Sequence, residues 1–166
     1  MDTALPLTFS KYTHTDFYTY YSLVKKDEVM RYISGKGLTE IEAKTKFESM
    51  LQINEEESDI GYYKVFNADL DWIGDAKLEW YPKDKYVLEV GYILSKEYWG
   101  MGYATEICAR LLALAQTMAP TTDVIGIIDP DNAASKRVLE KFGFKTYFIG
   151  TEDDLPTEKL KLNWPL

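Results

Sequence analysis

The chain has 166 residues, 46% of them hydrophobic and 28% charged, a composition that suits one globular domain and excludes a mostly disordered segment. Lys and Arg number 19 against 27 Asp and Glu, a net charge of −8, which argues against a broad electrostatic grip on nucleic acid and requires any bound anion to be held by backbone amides or a local cluster of cations. One cysteine, Cys108, and one histidine, His14, exclude an intrachain disulfide and a Cys-based zinc site, and leave an imidazole mechanism only His14, which sits in a polar stretch and reads as surface.

The first residues lack the basic and apolar regions of an export signal, and the uncharged stretch between Arg110 and Asp123 is too short to span a bilayer and contains Pro120. With an unpaired cysteine, these features predict a cytoplasmic protein with no membrane partner. No linker, repeat or low-complexity run divides the chain, so residues 1–166 are expected to form a single domain.

Taken in order, Leu5 to Tyr12 reads as a strand and Asp16 to Ile33 as a helix broken near Lys26-Asp27. Thr39 and Glu42 form a capping-box pattern that opens a helix running to about Glu55, with Ile41, Phe47, Met50 and Leu51 among its apolar positions. Ile60 to Asn67 and Trp72 to Tyr81 are two strands joined by a hairpin over residues 68–71; a turn over 82–85 leads to a third strand, Tyr86 to Leu94. Ala104 to Met118 is an amphipathic helix whose apolar stripe includes Cys108, so that thiol reads as a buried hydrophobe. Val124 to Ile128 is a short apolar strand, Asn132 to Phe142 a helix stopped by Gly143, and Phe144 to Gly150 and Lys159 to Trp164 are closing strands. The order predicts a mixed α/β fold.

The segment Glu97-Tyr98-Trp99-Gly100-Met101-Gly102-Tyr103-Ala104-Thr105-Glu106 follows a strong strand and opens a helix. Gly100 and Gly102 permit close backbone approach and positive φ, and the free amides of a helix start favour an anion, so a phosphate can be held there without net positive charge. A dinucleotide fingerprint fails at Thr105, which occupies the third-glycine position, and a P-loop fails for want of a Lys-Ser/Thr pair.

With Leu88-Glu89-Val90-Gly91-Tyr92-Ile93-Leu94 before it, the segment resembles the coenzyme-A motif of GNAT-type N-acetyltransferases. The run from Asn132 through Ser135 and Arg137-Val138-Leu139-Glu140-Lys141 to Gly143-Phe144 is similar to the RimJ/RimL-like branch, which modifies ribosomal-protein N-termini. The resemblance implies a GNAT-like fold, its central, mostly antiparallel sheet splayed at the cofactor strand and flanked by helices. It also implies acetyl-CoA as donor and direct attack by a primary amine in a ternary complex. The amides of Gly100, Met101, Gly102, Tyr103 and Ala104 would hold the pyrophosphate, Ile93 and Leu94 would lie along the pantetheine arm, Asn132 would bond to that arm and Ser135 would sit near the sulfur. Lys136 and Arg137 would reach the adenosine phosphates or form a solvated helix face. Trp99 and Leu139 depart from the broad family pattern, which has Gln or Arg and a thiolate-protonating tyrosine there; Ser135 is then the candidate acid, with water or no acid as alternatives. No metal is implied.

Acetyl transfer needs a neutral amine, a polarised carbonyl and a thiolate able to leave, with a backbone amide near Leu94 available to polarise the carbonyl. Glu89 is the expected base, on a strand face with Val87, Gly91 and Ile93, unless it serves only as a hydrogen-bonder between strands; Glu79 and Asp75 on the preceding strand stand behind it. Neutralising an α-amine at pH 7 costs about 1.4 kcal/mol and a lysine-like amine about 4.6 kcal/mol, so a weak base favours an α-amine; the resemblance points the same way, to a protein or peptide N-terminus, with a small-molecule amine as the alternative. Tyr18, Tyr20, Tyr21 and Tyr32 are available to line the acceptor groove. The partners expected are therefore acetyl-CoA and an amine, with the protein a monomer or homodimer; a non-catalytic acetyl-CoA-binding sensor or interaction domain is the alternative.

Overall fold

In the computed structural model, which describes residues 5–163, the chain runs β1 (Thr8–Lys11), α1 (Phe17–Val24), α2 (Asp27–Met30), α3 (Glu40–Glu56), β2 (Gly61–Phe66), β3 (Trp72–Tyr81), β4 (Asp84–Leu94), α4 (Tyr103–Met118), β5 (Val124–Ile128), α5 (Ala133–Lys141), β6 (Lys145–Glu152) and β7 (Leu155–Leu162). The strands form one sheet in the order β1-β2-β3-β4-β5-β7-β6. Every pairing is antiparallel except β4 with β5, the one pair joined through a helical crossover, α4. This is the expected mixed α/β fold.

Each sheet face has its own core. On one, Ile107, Cys108, Leu111 and Ala115 of α4 and Leu139 of α5 pack against Ile73, Ala76, Leu78, Leu88, Val90 and Leu94. On the other, Tyr20, Leu23, Val24, Ala43, Phe47 and Met50 of α1 and α3 close over Tyr12 and Tyr62. Burial pushes the Cys108 thiol up to about 12, consistent with a packed hydrophobe and not a reactive thiol.

Several boundaries differ from expectation for local reasons. β1 is shorter than Leu5 to Tyr12. The first helix breaks where Lys26, with ψ 122°, caps α2 in an extended conformation, and α2 stops at Met30. Ile41 is 81% exposed; the buried stripe of α3 is Ala43, Phe47 and Met50. The last two strands meet at a tight turn in which Asp153 and Asp154 both have positive φ, a two-residue hairpin without the usual glycine. Pro156 is tolerated in β7 because it faces Thr151 of β6 while the ladder with β5 ends at Glu158. Trp164, expected to end the last strand, lies outside the described residues.

The capping box forms as read: Thr39 Oγ1 accepts from Glu42 N (3.2 Å) and Thr39 N donates to Glu42 Oε1 (2.9 Å). Thr39→Ala should cost about 1 kcal/mol in urea unfolding, with the slope of the transition unchanged.

One irregularity shapes the interior. The ladder between β2 and β3 pairs Phe66 with Trp72 but Val65 with Gly74, leaving Ile73 as the extra residue of a bulge. Gly74 has φ 153°, and a Cβ there would collide with the Ile93 carbonyl oxygen of β4. The bulge resets the alternation: Ile73 joins the α4 side, while Trp72 packs with the α1–α3 side, the side on which Asp75 meets Tyr12.

Candidate functional site

β4 and β5 are bonded only where Leu88, Glu89 and Val90 face Val124, Ile125 and Gly126. Beyond Gly126, β5 follows β7 as far as Ile128 facing Glu158, while β4 follows β3 as far as Leu94 facing Gly74. The two strands therefore part at Gly91, and the sheet opens a wedge whose backbone groups are free for a ligand. At its mouth the chain turns through Gly100 (φ 72°) and Gly102 (φ 87°) into α4. Gly102 caps the helix with no side-chain bond, and the first internal bond runs from Glu106 N to Gly102 O. The amides of Tyr103, Ala104 and Thr105 thus point outward at the positive end of a sixteen-residue helix. The space where a Cβ would stand on Gly100 is open. Trp99 Nε1 donates to Leu94 O (2.9 Å), tying this loop to the end of β4.

On the α4–α5 side of the wedge, the Tyr92 hydroxyl donates to Ser135 Oγ (3.1 Å). Asn132 caps α5, its Oδ1 accepting from Ser135 N (3.2 Å), which leaves its amide N–H groups without a protein acceptor among the described residues. Burial raises the Tyr92 phenol while its bond to Ser135 opposes the shift. Leu139 is 3% exposed and packs against Gly126, so it brings no polar group to the wedge. Lys136 is paired with Glu158 (3.0 Å), and Arg137 is exposed.

The α1–α3 side is polar at its floor. Asp75, Lys77 and Glu79 of β3 face Ile93, Gly91 and Glu89 of β4 in register. Lys77 Nζ lies 3.1 Å from Glu79 Oε1 and 2.5 Å from Glu89 Oε2. Against the penalty of burial, these carboxylates and Tyr62 hold the Lys77 ammonium above its ordinary range. Asp75 is 5% exposed and, among the described residues, in no ion pair; the Tyr12 hydroxyl donates to its Oδ2 at 3.3 Å. Its pKa is pushed up to about 7, burial outweighing the Tyr12 hydrogen bond and the charges of Lys77 and Lys46. Tyr12, Tyr20 and Phe47 stand around this point with ring centroids 5.3 to 5.9 Å apart. Tyr21 stacks on Phe17, whereas Tyr18 is exposed and Tyr32 packs under Arg31.

The fold thus brings together Gly100 to Ala104, Ile93, Leu94, Asn132 and Ser135 around the wedge, and sets Glu89 on its opposite face. Leu94 turns its side chain into the α4 core and Ile93 into the α1–α3 core, so the backbone is what both offer to a ligand. Sequence reasoning missed Tyr92 and Lys77 and ranked Asp75 low. A signal was present: Asp75, Lys77 and Glu79 alternate along a strand otherwise apolar enough to be buried, which marks a polar stripe inside the protein.

Residues 6–145 match the family model described as acetyltransferase (GNAT) domain. The chain is 23% identical over 140 residues to the uncharacterized N-acetyltransferase YoaA of Bacillus subtilis, covering 84% of this chain and 79% of that one. It is 39% identical over 57 residues to the uncharacterized protein YkkB of the same organism, a match spanning 34% of this chain and 33% of YkkB. Among solved structures, spermidine N-acetyltransferase from Vibrio cholerae in complex with CoA and spermine is similar with a TM-score of 0.75 at 16% identity, covering 95% of each chain. RimL, a ribosomal alpha-N-protein acetyltransferase in complex with coenzyme A, is similar with a TM-score of 0.76 at 12% identity, covering 95% of this chain and 93% of that one. At these identities the structural likeness is one of fold.

Proposed function

Since the chain belongs to the GNAT acetyltransferase family and is an acyltransferase that takes its acetyl group from acetyl-CoA, we propose that its acceptor is the α-amine of a protein or peptide N-terminus, as in the RimJ/RimL-like branch. The observation that carries this reading is the stripe of carboxylates on the α1–α3 face of the sheet, beside the packed rings of Tyr12, Tyr20 and Phe47. Three acids, Asp75, Glu79 and Glu89, share it with Lys77 and with Lys46 from α3, which leaves one carboxylate in excess when Asp75 is charged and suits an ammonium better than an anionic guest. A proton acceptor near pH 7 deprotonates an α-amine of pKa about 8 against a roughly tenfold disadvantage, and a lysine-like amine against a disadvantage of about three powers of ten.

The donor fits the residues present. The outward amides of Gly102, Tyr103 and Ala104, with Gly100 and Met101 leading into them, form an uncapped anion cradle suited to a pyrophosphate. The free backbone of Ile93 and Leu94 suits the pantetheine arm, and the Asn132 amide is free to donate to it. The donor supplies a thioester-activated acetyl group. The chain supplies orientation, through Trp99 on Leu94 O, and a proton at Ser135. Because Tyr92 donates into Ser135 Oγ, the Ser135 hydroxyl hydrogen is left to point at the departing sulfur, and Tyr92 can refill it.

Ser135→Ala should lower kcat by about 10- to 100-fold with acetyl-CoA affinity within about twofold of wild type, and Tyr92→Phe should lower it less. Pre-steady-state kinetics, confirming that chemistry limits turnover, and calorimetry on the same samples check both. The acceptor itself is tested by incubating the protein with acetyl-CoA and equal concentrations of free N-terminal peptides, Nα-blocked lysine peptides and polyamines, with products read by mass spectrometry. Acetylation of the free N-terminal peptides in preference to the others supports the reading. Preference for a polyamine favours a second reading, which draws on a cavity of about 180 Å³ lined by Glu56, Glu57 and Glu79 together with Ile53, Ile60 and Trp80.

A further inference from the structure

Resting on the amine-acceptor reading above, we infer that Asp75, and not Glu89, is the residue that takes the first proton from the acceptor ammonium. Glu89 is already committed. Its Oε2 is held by Lys77, which also binds Glu79, so that oxygen is occupied by a lysine of the chain itself. Asp75 lies two same-face positions beyond Glu89 along the ladder, opposite Ile93, at the level where β4 has left β5. Among the described residues it is the carboxylate of this floor without an ion pair, its one hydrogen bond there is the 3.3 Å contact from Tyr12 to Oδ2, and its Oδ1 accepts none. A second observation points to a missing guest. The Trp72 indole N–H, buried on this face beside the Tyr12 hydroxyl, makes no hydrogen bond of good geometry. A buried indole N–H without a well-formed partner, beside a carboxylate that accepts one hydrogen bond, is what a polar ligand, or the water that relays to it, would complete.

The surroundings set the chemistry. Near Asp75 are Tyr12 from the end of β1, Tyr20 from α1, Lys46 from α3 and Lys77 from β3, with Lys64 of β2 opposite it in the ladder and Glu79 and Glu89 further along the same face. Lys64 is drawn away to Asp16 (2.9 Å) and Lys77 to its two glutamates. Burial therefore dominates and poises Asp75 near neutrality, where a base is most effective. The steps balance as follows. The ammonium gives one proton to Asp75, directly or through a water. The neutral nitrogen then attacks the thioester carbon; an N–C bond forms, the C–S bond breaks and the electron pair leaves on sulfur, which takes a proton from Ser135. The second proton lost by nitrogen ends in solvent.

The test compares pH–rate profiles of wild type, Asp75→Asn, Glu89→Gln and Tyr12→Phe on whichever acceptor the wild type turns over. Asn keeps the acceptor for the Tyr12 hydroxyl but takes no proton. At pH 7, kcat/KM of Asp75→Asn should fall by about 10²- to 10⁴-fold and recover as the pH approaches the pKa of the acceptor amine. Glu89→Gln should keep the wild-type inflection with a smaller loss, parallel at every pH. Tyr12→Phe removes the hydrogen bond that lowers the Asp75 pKa, so its inflection should move to higher pH, a readout independent of whether Asp75→Asn folds. An Asp75→Asn profile with the wild-type inflection, an equal loss at every pH, or a low-pH limb abolished by Glu89→Gln instead would overturn the assignment. Wild-type turnover of a polyamine alone would remove the N-terminal acceptor while leaving the Asp75 profile readable on that amine.

Discussion

Ala104→Asp should lose acetyl-CoA affinity by at least 100-fold while melting within a few degrees of wild type. The fold and the ligand respond oppositely to the same charge. Ala104 is the second residue of α4, where the first-turn amides are uncapped by any side chain and the helix dipole is positive. An aspartate in a first turn is ordinarily favourable to the helix by about 0.3–1 kcal/mol, which offsets the small cost of enlarging a half-buried alanine. The same carboxylate stands where the cradle receives a pyrophosphate. Two unit charges about 5 Å apart at an effective dielectric of about 20 repel by about 3 kcal/mol, or more than 100-fold in affinity. Isothermal calorimetry with acetyl-CoA and with dephospho-CoA, at low and moderate salt, reads the loss. Equal affinity in a folded mutant would sink the cradle as the pyrophosphate site. A loss that appears only together with a lowered melting temperature would assign the effect to packing.

The glycine loop and the two long helices were legible because each depends on local rules. Gly100 and Gly102 take the positive φ that only glycine adopts freely, α4 keeps its apolar stripe, and Thr39 with Glu42 closes the capping box as written. Ser135 and Asn132 were singled out through the resemblance, and the fold sets Ser135 against Tyr92 of β4 with Asn132 capping α5 beside it. What the sequence concealed depends on pairing across distance. No local pattern announces that Lys77 bridges Glu79 and Glu89, because that requires knowing that residue 79 faces residue 89 in the ladder. The Ile73 bulge is likewise invisible in the sequence: it is defined by the partner strand, and it decides that Trp72 and Asp75 share a face. The Tyr92–Ser135 bond joins residues 43 apart through the opening of two strands. The misplaced Ile41 has a simpler cause. A first-turn apolar residue satisfies a helical spacing whether or not the helix end reaches the core, and here it does not.

Stability should fall as pH rises from about 4 to 8 by roughly 4 kcal/mol more in the wild type than in Asp75→Asn. The folded-state pKa of Asp75 is raised to about 7, against about 3.9 in the unfolded chain. Between those values the folded protein holds a proton that the unfolded chain has released, so raising the pH favours unfolding. The three-unit gap, at 1.36 kcal/mol per unit, sets the size of the effect. The penalty is absent at pH 4 and complete above pH 7. Asparagine has no proton to lose, so the variant should resemble the wild type in acid and exceed it at pH 8. Groups such as Glu158, which hydrogen bonds from Thr146 and Lys136 hold below the usual range despite burial, act in the opposite sense and lose their contribution as pH falls. They are common to both proteins and cancel in the difference. Urea unfolding of both at pH 4, 6 and 8 measures it. A constant difference across pH would show that Asp75 is not held away from its ordinary pKa. A variant less stable at every pH would make it a structural acceptor for Tyr12 alone. A carboxylate that destabilises the fold at the pH where it is charged, burial outweighing the charges of Lys77 and Lys46, is not explained by stability. The role proposed for it, as acceptor of the proton of the incoming amine, would explain it.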